Sequence, residues 1–211
     1  MLNELTHKWS GLLLLLVLAI LLEAQIGSSF FTEVLTLSLF TLSLAGSMLL
    51  SQPNNGWRTA TLLIAGLWYV TSLATMMGAP LKAGSAIFAV ILILGSLRAT
   101  FRTLMSYKKP NVEVLLGAIY GYVLLIAAWA VLYLQIERSA PGSFNLAEGA
   151  DFWSSFVYFS AVTMTTLGYG DVLPVSSIAR VMAAFEAIVG VLYIAVMVGG
   201  IVGSYQSSEQ E

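Results

Sequence analysis

The chain has 211 residues, of which 58% are hydrophobic and only 9% charged, with a mean hydropathy of +0.88 and a formal net charge of -2. Charged residues make up roughly a quarter of an ordinary soluble domain, so this composition is that of a membrane protein. The net charge offers no attraction to nucleic acid; the absence of Cys excludes disulfides, thiolate metal sites and cysteine nucleophiles; and the single histidine, His7, argues against a histidine triad or a multi-histidine metal site within one chain.

Five prolines, Pro53, Pro80, Pro110, Pro141 and Pro174, fall between long apolar runs and mark their boundaries. The runs are each long enough for a bilayer core, which takes about 20 residues. In chain order the spacing predicts membrane spans at 9–26, 31–50, 59–77, 84–105, 112–136 and 178–205. The first run could also be read as a signal peptide, although Leu22-Glu23-Ala24 lacks a small-x-small cleavage site. A polar loop covers 137–150, and the apolar segment 151–163 is too short to cross. Asp151 is placed to cap that segment as a helix, and its nearly all-round apolar character suits a helix buried in a bundle. The fold class expected is all-α: six transmembrane helices with a re-entrant helix and loop between the fifth and sixth. The domains expected are 1–110, a four-helix bundle, and 111–211, the interrupted remainder.

The basic residues orient the chain. With both termini cytoplasmic, Lys8, Arg58, Arg102, Lys108 and Lys109 lie inside, against Lys82, Arg138 and Arg180 outside, as the positive-inside rule requires. Loop 137–151 then faces outward with Glu137, Glu148 and Asp151 against Arg138, a balance that either steers cations or is ordinary loop polarity. Arg98 and Arg102 are four residues apart near the inner end of the fourth run. Voltage sensors carry arginine-rich fourth helices; these two suit snorkelling to the interface instead.

Thr166-Leu167-Gly168-Tyr169-Gly170-Asp171 follows Thr163-Met164-Thr165, giving TMTTLGYGD between the short helix and the last span. Backbone can face a narrow axis with its carbonyls only if some residues take φ > 0, which Gly168 and Gly170 allow at little steric cost. The run differs by one residue from TVGYGD and resembles the selectivity filter of potassium channels, in which carbonyl oxygens replace the water shell of the ion. Residues 151–171 resemble the pore helix and filter of that family closely, and 112–205 resemble its pore module more weakly.

The resemblance implies passive potassium conduction, with K+ coordinated at Thr166, Leu167, Gly168 and Tyr169, and with Gly170 and Asp171 completing the outer mouth. Thr163 and Thr165 would support the filter, and Tyr158 and Phe159 fall where relatives carry an aromatic cuff around the filter tyrosine. One chain supplies one filter strand, so the family's pore implies a homotetramer, with lipids around it and no cofactor beyond the permeant ion. Leu167 stands where valine is common. Val162 stands where some members carry a glutamate that pairs with the filter aspartate, so Asp171 needs another partner, such as Trp153 or a water. Gly190, Gly199 and Gly200 on the last span are gating-hinge candidates, although small residues also permit close helix packing. Glu186 is ionisable within that span, where carboxylates face partners or water; pore-helix hydroxyls or Arg180 could serve. The alternatives are a weakly selective cation channel, or a lipid- or ligand-responsive bundle with the pore as its output, with a separate regulatory partner. Neither a transporter, which would show interrupted helices in both halves, nor an enzyme fits, since no nucleophile–base pair is visible.

Overall fold

The computed structural model describes residues 8–25, 30–51, 55–106, 112–147 and 149–208, with backbone alone at 23–25, 55, 82–83, 198–199 and 201–208. His7, Pro53, Lys108, Lys109, Pro110 and Glu148 lie outside the described residues. Seven helices follow in order: α1 Lys8–Gln25, α2 Phe30–Leu50, α3 Asn55–Met76, α4 Lys82–Ser106, α5 Val112–Ser139, α6 Phe152–Met164 and α7 Ser177–Ser208. A two-residue strand, β1 Phe144–Asn145, pairs antiparallel with β2 Leu173–Pro174. The protein is an all-α membrane bundle. Among the described residues, five helices are long and apolar enough to cross a bilayer, namely α2, α3, α4, α5 and α7. The apolar stretch of α1, Lys8–Leu22, is shorter.

By internal packing the chain forms two compact units, Met1–Leu124 and Leu125–Glu211. In the first unit the helices are joined by hydroxyls. Ser43 Oγ donates to the Leu12 carbonyl at 3.1 Å, Tyr120 Oη donates to the Ser43 carbonyl at 3.1 Å, and Ser47 and Ser96 share a bond of 2.5 Å. Tyr120, at the start of α5, is fully buried and tilts against Trp9 at 5.5 Å between ring centroids. That bonding is why the first turns of α5 group with α1 to α4. Between apolar helices such hydrogen bonds hold where burial of oily surface offers little. Arg98 and Arg102 are exposed on α4.

The second unit is built on aromatic rings. Tyr133 of α5, Phe144 of β1 and Phe156 and Phe159 of α6 are buried together, with centroid separations of 4.9 to 6.4 Å. Most of these pairs meet edge to face, the arrangement favoured by the ring quadrupole. The cluster packs α6 against the second half of α5.

Candidate functional site

The short helix before the TLGYGD loop forms as its sequence indicates. Asp151 is the N-cap of α6, in extended conformation (φ -69, ψ 125), and its Oδ2 accepts from the Ser154 amide at 2.7 Å. Asp151→Ala is expected to cost about 1 kcal/mol of helix stability, read as a lower melting temperature with the helix still formed.

At the other end the chain turns back on itself. The Thr166 amide donates to the Thr163 carbonyl at 3.0 Å, and the amides of Leu167 and Gly168 both donate to the Val162 carbonyl, at 2.8 and 3.2 Å. Thr165 Oγ1 donates to the Ala161 carbonyl at 2.7 Å. These bonds satisfy carbonyls that a helix C-terminus leaves without an intrahelical partner, and they seat the loop directly on the negative end of the α6 dipole.

The loop itself alternates. Thr166, Gly168 and Gly170 have φ of +59, +54 and +79, while Leu167 and Tyr169 are not among the positive-φ residues. Extended backbone turns successive carbonyls to opposite sides; alternating the sign of φ lets them face one side. The two glycines meet this at little cost. Thr166 does not, because a β-branched residue at positive φ is a genuine outlier, of the kind that clusters at functional sites. The sequence reading placed positive φ at the glycines and named Thr166 only for ion coordination, although counting back by twos from Gly170 reaches it.

Asp171 finds its partner in α6. Tyr158 Oη donates to Asp171 Oδ2 at 2.7 Å, and the Val172 amide donates to Oδ1 at 3.1 Å. The Tyr158 ring also stacks on Tyr169, with centroids 6.5 Å apart and planes 3° from parallel. One side chain therefore braces both the tyrosine and the aspartate of the loop. Trp153 packs instead against the aromatic cluster, and Phe159 is buried inside it. The Tyr158 hydrogen bond is the main cause holding the Asp171 carboxyl below its ordinary 3.8. A lowered value means that this contact contributes fully above the unfolded value and is lost as pH falls through the folded one. Tyr158→Phe keeps the stack and removes the bond. The expected result is a loop whose outer end is less well held, measured as faster loss of flux over time, with no dependence on pH between 5 and 8.

Glu137 was a candidate for steering cations at the outer face. It is buried, and its two oxygens accept from the amides of Gly142 (2.7 Å) and Phe144 (3.1 Å), so it orders the 140–145 turn. Ser143, in that turn, accepts through its carbonyl from the Val175 amide at 2.8 Å. With the β1–β2 pairing, this ties the segment after the loop to the end of α5.

Glu186 of α7 is fully buried. Ser160 Oγ of α6 is hydrogen-bonded to its Oε1 at 2.5 Å, and Tyr133 Oη of α5 donates to its Oε2. The pore-helix hydroxyl expected from the sequence is present, Tyr133 was not foreseen, and Arg180 is exposed. Gly190 lies where α7 crosses the end of α6: a Cβ there would come within 2.9 Å of Met164 Cα and still closer to its carbonyl oxygen. α7 runs without a break through Gly190, so close approach accounts for this glycine. A Cβ at Gly200 would meet nothing within 4 Å, and the surroundings of Gly199 lie outside the described residues.

A short capped helix leads into a loop of alternating φ seated on its C-terminus and then into a long return helix, and residues 119–206 match a family model described as an ion channel. Three relatives extend the match. The chain is 35% identical over 79 residues to the inward rectifier potassium channel Kirbac3.1 of Paramagnetospirillum magnetotacticum (36% of this chain, 24% of that one). It is 33% identical over 106 residues to the human potassium voltage-gated channel subfamily KQT member 4 (50% and 14%), and 39% identical over 70 residues to the potassium voltage-gated channel protein shk-1 of Caenorhabditis elegans (33% and 12%). The resemblance to potassium channels read from residues 151–171 is thus borne out by these similarities. This family is not an enzyme class, and the protein is a multi-pass membrane protein. The chain spans no more than 24% of the length of these relatives. No solved structure matches significantly.

Proposed function

We propose that the chain is the subunit of a homotetrameric potassium-selective channel, with K+ passing along the carbonyls of Thr166, Leu167, Gly168 and Tyr169. The observation that carries this reading is the alternation of φ at 166, 168 and 170, together with the seating of the loop on α6. Four loops around an axis would supply the oxygens that replace a hydration shell. Assembly is supported by the exposure of Leu167 (54%) and Tyr169 (67%) in a single chain, apolar surface that needs neighbours.

On this reading α1 crosses as a sixth span, both termini are cytoplasmic, Asp171 faces outward, and the ion needs no cofactor. Residues 1–110 form a bundle without a conventional voltage sensor, since α4 offers only the exposed Arg98 and Arg102. Residues 111–211 form the pore domain, and lipids surround both. The test is cation flux into liposomes holding the purified protein, with potassium and sodium gradients compared. Flux in potassium alone is the expected result. Equal sodium flux would replace potassium selectivity with weak cation selectivity and implicate Leu167.

A further inference from the structure

The hydrogen bonds around Glu186 contain more contacts than hydroxyl protons. Ser160 Oγ lies 2.5 Å from Glu186 Oε1 and 3.0 Å from the Ile126 carbonyl oxygen of α5, and Tyr133 Oη contacts Glu186 Oε2. Those are three oxygen–oxygen contacts. A serine and a tyrosine hydroxyl supply one proton each, while a carbonyl and an ionised carboxylate supply none. With Glu186 ionised, the single Ser160 proton would have to serve both Oε1 and Ile126, leaving one close contact with no hydrogen in it. With Glu186 protonated the count closes: Oε1–H donates to Ser160 Oγ, Ser160 donates to Ile126, and Tyr133 donates to Oε2.

The surroundings agree with that count. Glu186, Ser160 and Tyr133 are all fully buried. Tyr133 is the titratable group that reaches the carboxyl from α5, α6 contributes only the Ser160 hydroxyl, and no cation is among these partners. A buried carboxylate without a cation is costly, whereas the neutral acid with every bond made is not.

We propose that Glu186 is held as the neutral carboxylic acid and is a positioning residue for the filter, its proton completing a bond chain that joins α7, α6 and α5. Ser160 lies two residues before Val162, whose carbonyl seats the amides of Leu167 and Gly168. Loss of the proton makes Ser160 release one of its two partners and shifts the helix that carries the filter. Glu186→Gln preserves the chain without a titratable proton, because its amide N–H donates to Ser160 and its carbonyl accepts from Tyr133.

The protonation state is tested by infrared difference spectroscopy of the full chain in lipid, through the carbonyl-stretch band of a protonated carboxylic acid. Wild type is expected to show this band at neutral pH and lose it on alkalinisation. E186Q should lack it, whereas Glu113→Gln should keep it; Glu113 is the control because it is also buried, accepting from the Trp9 amide. Absence of the band in wild type, or its persistence in E186Q, overturns the proposal. The positioning role rests on the channel reading and is tested by flux: wild-type potassium flux falls at alkaline pH, and E186Q conducts at neutral pH without that fall. A wild-type flux that stays flat while the band titrates, or an identical fall in E186Q, overturns the positioning role. The band is read without any flux, so failure of the channel reading is distinguishable from failure of this one.

Discussion

Gly168→Ala is expected to reduce potassium flux to background while the protein still folds and assembles. Gly168 has φ of +54, and a Cβ built there meets nothing within 4 Å in one chain. The substitution is therefore resisted by backbone preference rather than by a clash within the subunit, at about 1–2 kcal/mol for an L-residue held left-handed. That is too little to unfold a bundle this size, yet enough to turn the 168 peptide out of the alternating pattern. In a tetramer the change occurs at four places around one axis. The measurement is liposome flux beside the elution volume and helicity of the purified variant. Normal flux in a well-folded variant would sink the assignment of 166–170 as the filter.

Gly190→Ala is the second large effect, and its cause is different. The new methyl would press on the backbone of Met164, with Cα at 2.9 Å and the carbonyl carbon at 3.1 Å. A flexible side chain could swing away; the end of α6 cannot, because its carbonyls hold the amides of the loop that follows. Overpacking of this kind costs about 1–3 kcal/mol. The expected outcome is a lower melting temperature together with reduced flux, since α6 and α7 are forced apart just below the loop. An unchanged melting temperature with altered opening would instead make Gly190 a hinge.

Much of the fold is legible along the chain. The helices begin and end within a few residues of the runs bounded by proline and polar turns, because a bilayer segment must satisfy its own backbone and so must be a helix of roughly the right length. The N-cap at Asp151 was legible for a local reason, since its oxygen bonds an amide three residues on. TLGYGD was legible because glycine at two alternate positions is a backbone requirement written in residue type. Thr166 was not, since nothing about threonine announces φ of +59; only the pattern of its neighbours does.

The partners of the charged groups are another matter. Glu137 read as a charge available to the outer face, and it is consumed by two amides in the turn that follows it. Asp171 read as needing a partner, and that partner is Tyr158, thirteen residues back and brought close by the turn after α6. Gly190 read as a hinge candidate with close packing as the alternative, and in the structure a Cβ there would press on the backbone of Met164. The sequence by itself determined the class of element, the membrane setting and the glycine-alternating TLGYGD loop, since each follows from local hydrophobicity, capping or glycine placement. The tertiary structure alone decided that Tyr133, Ser160 and Glu186 share one buried site, and that β1 and β2 tie the turn after α5 to the segment after the loop. Those pairings join residues tens of positions apart, and hydrogen-bonding capacity in a sequence says what a side chain can do but not which distant group it will meet.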